Sequence, residues 1–151
     1  MFLGIDAYQT VVECVITPTP TEWTKINKKP RRTYDLTAMF QLLDRTDSIT
    51  FACIERQGPH PHDGTSAAFR TGYGYAAWLM ALTAHRIPYT VMQTRQWRSI
   101  LSIPPTPGLA GKRAVRTVVQ ARLPDAHITL DTADAVALAL VATVQRPAIA
   151  S

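Results

Sequence analysis

Of the eleven acidic residues in this 151-residue chain, four border its most apolar stretches. Asp6 lies inside the β-rich segment FLGIDAY, residues 2–8. Glu55 follows the apolar run SITFACI at residues 48–54. Asp131 and Asp134 open a segment that is otherwise almost wholly apolar, TA-AVALALVATV. Carboxylates are among the residues least often fully buried, and an uncompensated ionised one in a core is very costly. These four therefore need either a paired cation each or a shared metal. Asp131 and Asp134 are three residues apart, which sets them on one face of a helix, and in the first turn, where the dipole favours negative charge. If the strands that carry Asp6 and Glu55 are neighbours, their ends meet that helix start. Clustered carboxylates repel one another unless divalent cations fill the site, and oxygen-only ligation suits Mg²⁺ or Mn²⁺. Two such ions about 4 Å apart activate a water and stabilise the leaving oxygen of a phosphodiester.

Each acid also has a plainer reading. Asp131 is a natural helix N-cap, and Asp134 a carboxylate matched to the helix dipole. Asp6 is a turn former ahead of a hairpin bend, and Glu55 a partner for Arg56 or another arginine. A paired structural role for each and a common metal site both remain open on pattern alone.

The elements that must position these residues follow from periodicity. Residues 2–8 and 11–17 read as a β-hairpin. Residues 18–32 are turn-rich and basic, with a third strand around 22–28. Leu36, Met39, Phe40 and Leu43 recur at helical spacing, which predicts a helix over 34–46. SITFACI is a buried strand, and residues 56–64 (RQGPHPHDG) are a loop. Residues 65–84 form a long helix rich in small residues. PYTVMQ is another strand, followed by a short helix from Thr94 through Trp97. SIPPTPGLAG (102–111) is a Pro/Gly loop, and 112–122 and 131–145 are the last helices. The order, strands first and then strand–helix alternation, predicts an α/β fold with a mixed sheet covered by helices. One domain over residues 1–151 is expected, because the Pro-rich pieces are too short for interdomain linkers.

Composition narrows the function classes. The chain is 46% hydrophobic with mean hydropathy −0.02, which excludes a disordered tail and allows a sizeable core. No apolar run approaches the roughly 20 residues of a membrane helix. MFLGID lacks a basic leader and reaches an acid at residue 6, so it does not read as a signal peptide, and a cytoplasmic location is expected. Cys14 and Cys53 make neither a disulfide framework nor a zinc site. The net charge is +5 and the pI about 9.6, with twelve of the sixteen cations arginine. Arginine grips phosphate in a bidentate fork, so nucleic acid is a natural partner. Lys25, Lys28, Lys29, Arg31 and Arg32 fall within eight residues and suit a phosphate backbone or a solvated loop. Lys112, Arg113 and Arg116 begin a helix, where cations oppose the dipole, which favours a phosphate partner. Arg56 and Arg70 are further candidates for DNA contact.

The ordered series GID (4–6), IER (54–56), GTSAAFRTGYGYAAWLMAL (64–82), IPYTVMQTRQW (87–97), GKRAVRTVVQARLPD (111–125) and DTADAVALAL (131–140) resembles the RuvC-type Holliday-junction resolvases, with the phage and prophage branch nearest. The likeness runs from residue 3 to about residue 142. It implies an RNase H-like fold and a homodimer that cuts four-way DNA junctions by paired, divalent-metal-dependent nicks, leaving 5′-phosphates. A phage origin would place the protein in host bacterial cytoplasm. By motif position Asp6 would bridge two Mg²⁺ (or Mn²⁺) ions, Glu55 would bind one, and Asp131 and Asp134 the other. Lys112 matches a basic position near the scissile phosphate. Recombination and repair of DNA are the processes implied.

Three positions depart from the pattern. Ala7-Tyr8 follows Asp6 where a glycine is common two residues on. Gly58 stands where bacterial members carry an aromatic wedge, so Tyr8 or the His60/His62 loop is the alternative DNA contact. The central loop is rewritten as SIPPTPGLAG. Along the long helix, Phe69, Gly72, Ala76 and Leu79–Met80 share one side, which fits core packing or, by resemblance, a dimer interface. Three rival readings remain. One is an RNase H-like nuclease acting on other branched or hybrid substrates. Another is a non-catalytic junction-binding protein. The third is a structural homodimer with a merely basic surface, which predicts weak, shape-blind DNA binding.

Overall fold

The structure, a computed structural model, describes residues 2–5, 9–12, 15–18, 20–26, 29–44, 49–59 and 63–145. A five-stranded sheet is built from β1 (Phe2–Ile5), β2 (Gln9–Val12), β3 (Val15–Pro18), β6 (Phe51–Glu55) and β7 (Tyr89–Met92) in the order β3-β2-β1-β6-β7. β1, β6 and β7 are parallel, whereas β2 and β3 run antiparallel. Strands β4 (Thr21–Ile26) and β5 (Lys29–Tyr34) form a separate antiparallel ribbon. The helices are α1 (Leu36–Asp44), α2 (Thr65–Ala84), α3 (Thr94–Ile100), α4 (Gly108–Arg122) and α5 (Ala133–Gln145). This is the expected mixed α/β sheet covered by helices.

Two apolar cores lie on opposite faces of the sheet, and strand alternation assigns each residue to one of them. On β6, Ala52 and Ile54 join Leu3, Ile5, Trp78, Ala81 and Leu82 beneath α1 and α2. Phe51 and Cys53 join Trp97, Val115, Val119 and the buried residues of α5. Glu55, two residues past Cys53, is therefore on the α5 side. α5 is apolar nearly all round because it is sandwiched between the sheet and α4. Its approach to β1 depends on Gly4: a Cβ there would collide with the backbone of Ala135 and Ala139.

Several element ends shift by a few residues, α3 for example running on to Ile100, and three larger differences from the sequence reading stand out. The segments 2–8 and 11–17 are not one hairpin but a meander, since β1 pairs with β2 and β2 pairs with β3. β-propensity marks such runs as extended but carries no information on where they fold back. The basic segment is not a loop with one strand. Both its halves pair, from Thr21↔Tyr34 to Ile26↔Lys29, so Lys25, Lys29, Arg31 and Arg32 stand on ladder positions of the ribbon. Pro30 is tolerated because a two-stranded ribbon consists only of edges. Finally, α4 starts at Gly108, not Lys112, which puts Lys112 in the second turn and Arg113 and Arg116 further along. These cations are therefore too far from the helix start to oppose its dipole strongly.

The ribbon is fixed at its base. Tyr34 is buried, and its ring fills the space a Cβ of Gly74 would need on α2. Asp35 then begins α1: its Oδ1 accepts the Ala38 N–H at 2.9 Å, and its own N–H donates to the Pro20 carbonyl at 3.0 Å. At the far end of α1, Asp44 Oδ1 lies 2.7 Å from His85 Nε2 at the end of α2, and the Phe40 ring packs at a tilt against the same imidazole.

Candidate functional site

Glu55 ends β6 at the C-terminal edge of the parallel strands, where open α/β sheets hold their ligands. Its Oε1 accepts two hydrogen bonds from α3, from Thr94 Oγ1 at 2.5 Å and from Trp97 Nε1 at 3.1 Å. No described residue donates to Oε2. The parallel register pairs Ile5 with Ile54. Asp6 lies outside the described residues, but the residue before it is thus paired with the residue before Glu55.

Asp134 stands in the first turn of α5. Its Oδ1 is buried and has no hydrogen-bond partner among the described residues. Burial raises its carboxyl above the ordinary value, the Glu55 charge adds to that, and the Arg98 and Lys112 charges pull the other way. A buried carboxylate oxygen without a partner carries a desolvation cost that a donor or a cation would offset.

Asp131 lies in the turn ahead of α5. Thr129 and Thr132 close that turn reciprocally: the Thr132 N–H donates to Thr129 Oγ1 at 3.2 Å and the Thr129 N–H to Thr132 Oγ1 at 2.9 Å. Asp131 is exposed and lies 3.9 Å from Lys112 Nζ. Lys112 is thus shared, since it faces Asp131 and also acts on Asp134. The described residues contain no group of three or more His, Cys, Asp or Glu side chains that could hold a metal. The Glu55 charge acts on Asp134, whereas Asp131 is paired with Lys112.

The other expected contacts are scattered. Arg56, Arg70 and Arg113 are exposed. Arg116 is tied down, its Nε donating to the Ile128 carbonyl at 2.9 Å, so it pins the chain between α4 and α5. Lys28, Tyr8, Cys14, His60 and His62 lie outside the described residues. Gly58 is exposed, with open space around it.

No protein-family model and no curated protein matches this sequence. Solved structures do match. Thermus thermophilus RuvC in complex with a Holliday junction substrate aligns with a TM-score of 0.59 at 17% identity, covering 92% of this chain and 89% of that one. A second Thermus thermophilus RuvC structure aligns with a TM-score of 0.58 at 15% identity, covering 92% and 90%. The fold is RuvC-like. Both neighbours are bacterial, so this likeness does not extend to a phage branch.

Within this RuvC-like fold the sequence reading missed the contribution of α3. Arg98 reaches the Thr106 carbonyl at 3.1 Å, holding the Pro-rich loop ahead of α4, while its Nε is buried and unpartnered among the described residues. Its guanidinium also lies 5.4 Å from the Trp97 ring centre. Thr94, Trp97 and Arg98 therefore connect Glu55, Asp134 and the start of α4. The run TRQWR announced a short helix, but the face it turns to Glu55 depends on the β7 register.

Proposed function

We propose that this chain is a divalent-metal-dependent, structure-selective endonuclease that resolves four-way DNA junctions. The observation that carries the reading is the pair formed by Glu55 and the orphaned, buried Asp134 Oδ1 at the strand ends of a RuvC-like fold. The Thermus RuvC of matching fold is described as bound to a Holliday junction substrate, which supports branched DNA as the substrate here.

The donor set is all oxygen, which fits Mg²⁺ or Mn²⁺. Asp6, Glu55, Asp131 and Asp134 would hold two ions, which when bound supply a nucleophilic water and charge neutralisation at the scissile phosphate. The chain's own groups do the rest. Thr94 and Trp97 orient Glu55. Lys112 sits beside Asp131 and supplies positive charge toward the phosphate and its developing charge. Lys25, Lys29, Arg31 and Arg32 on the ribbon and Lys28 of the same basic run, with Arg56, Arg70, Arg113 and Arg116, would track phosphates of the arms. The chain acts as a single domain and a homodimer, with Phe69, Tyr73 and Met80 of α2 as the exposed apolar contact. The motif series remains the ground for placing it near the phage and prophage members.

The test is cleavage of a synthetic four-way junction with Mg²⁺ or Mn²⁺, beside linear duplex and RNA–DNA hybrid, using wild type and Asp6→Asn. Symmetric nicks confined to the junction, lost in Asp6→Asn while junction binding is kept, are expected. Preferred cleavage of the hybrid would move the reading to another RNase H-like nuclease. Tight junction binding without cleavage of any substrate would leave a non-catalytic binding protein.

A further inference from the structure

Both hydrogen bonds to Glu55 end on the same oxygen. Thr94 and Trp97 are three residues apart on α3 and so share a face, and each donates to Oε1. An indole N–H has no acceptor role, so the Trp97 contact has one polarity only. The donors are also held in place. Trp97 is fully buried among Cys53, Leu101 and Val115. Its helix starts with a capping box, in which the Gln93 N–H donates to Gln96 Oε1 at 2.8 Å. The Arg56 N–H donates to the Met92 carbonyl at 2.8 Å, locking the end of β7 against the end of β6. Glu55 thus has one oxygen consumed by rigid donors and one without a described partner.

We propose that Trp97 and Thr94 are positioning residues that confine Glu55 to coordination through Oε2 alone, and that this confinement selects Mg²⁺ over Ca²⁺. The inference rests on the carboxylate-site reading above. Mg²⁺ demands six near-octahedral oxygens, which a carboxylate satisfies with one oxygen. Ca²⁺ takes six to eight ligands and commonly uses both oxygens of a carboxylate. With both lone-pair directions of Oε1 taken by hydrogen bonds, two-oxygen ligation must displace at least one of them. Deleting the donors frees Oε1 and lets the carboxylate turn, which benefits Ca²⁺ more than Mg²⁺.

The experiment measures Mg²⁺ and Ca²⁺ binding separately by calorimetry on metal-free wild type, Glu55→Gln, Trp97→Phe and Thr94→Val, with circular dichroism to check folding. Trp97→Phe keeps a ring and removes the N–H. Thr94→Val keeps the shape and removes the hydroxyl at an exposed position, so it reports even if the core substitution unfolds the chain. The expected result is a Ca²⁺-to-Mg²⁺ affinity ratio that rises about tenfold in Trp97→Phe, the scale of other outer-partner deletions, and rises in Thr94→Val as well. In wild type, the indole proton resonance of Trp97 should shift on adding Mg²⁺, and Glu55→Gln should abolish that shift. An unchanged ratio in the folded variants, with Glu55-dependent Mg²⁺ binding intact, overturns the selectivity role and leaves the site reading standing. Mg²⁺ binding that is equal in wild type and Glu55→Gln overturns both.

Discussion

At the scale of single residues, Asp134 dominates. Its Oδ1 is buried without a partner among the described residues, which costs folding energy that a bound cation would offset. Asp134→Asn is therefore expected to leave the metal-free protein as stable as wild type or more so, to remove the rise in Tm on adding Mg²⁺, and to lose cleavage. Thermal melts with and without Mg²⁺ check this, and a Mg²⁺ response that survives the substitution would exclude Asp134 as a ligand. The pH dependence has a definite sign. The Asp134 carboxyl is raised in the folded state, chiefly by burial and then by Glu55, so the folded protein keeps that proton to higher pH than the unfolded chain. Its contribution to stability is complete below the unfolded value, about 3.9, and is lost as pH rises through the folded value. Metal-free wild type should show that fall in Tm, and Asp134→Asn should flatten it. Cys53 makes a second, simpler case. Burial, with Glu55 adding to it, pushes its thiol up to about 12. At pH 8 iodoacetamide should leave Cys53 unmodified in the folded protein and alkylate it after denaturation, as read by peptide mass mapping.

At the scale of elements, two glycines set how helices meet their neighbours. Gly4 admits the backbone of α5, which cannot yield without moving the helix that carries Asp134. Gly74 admits only the ring of Tyr34, a side chain that can turn. Gly4→Ala is expected to destabilise by about 3 kcal/mol and to abolish cleavage, Gly74→Ala by about 1 kcal/mol. Urea melts give the order, and a larger effect at Gly74 would contradict the close α5 packing inferred at Gly4. Gly4 was legible only as part of the GID motif. Its reason is a contact made more than a hundred residues away in sequence. The same holds for Glu55, whose strand was evident in SITFACI but whose donors come from α3, brought alongside by the β6–β7 pairing.

At the scale of the whole molecule, the densest run of cations and the most exposed apolar side chains lie on different elements. The ribbon carries Lys25, Lys29, Arg31 and Arg32 on its ladder, apart from the main sheet. Replacing these four by Ala should reduce the slope of log affinity against log salt by about 0.9 for each phosphate no longer neutralised, while metal binding at the carboxylates is unchanged. Fluorescence anisotropy with a labelled junction at several salt concentrations measures it. On α2, Phe69 is 74% and Met80 70% exposed, large values for such side chains on a long helix. Small residues between them, Gly72 and Ala76, permit close approach of another helix. Phe69→Asp with Met80→Lys should shift sedimentation toward the monomer. If wild type is itself a monomer, the stripe is not a dimer contact.

Element type and order were set by local chemistry, which is why the helices and most strands were readable from periodicity and turn residues alone. The four acids stood out for the same reason, because a carboxylate next to a run of apolar residues is conspicuous without any structure. Net charge and arginine content are likewise properties of the chain before it folds. Tertiary structure decided the rest. It turned the basic stretch into a ribbon, since pairing across β4 and β5 satisfies backbone groups that propensity alone leaves undecided. It moved the start of α4 to Gly108, closed the turn before α5 with Thr129 and Thr132, and set Asp131 beside Lys112. Above all it brought Glu55, Thr94, Trp97, Arg98 and Asp134 to one place. Contacts between residues tens of positions apart are fixed by sheet register and by how closely helices can pack, and neither is written in any local stretch of sequence.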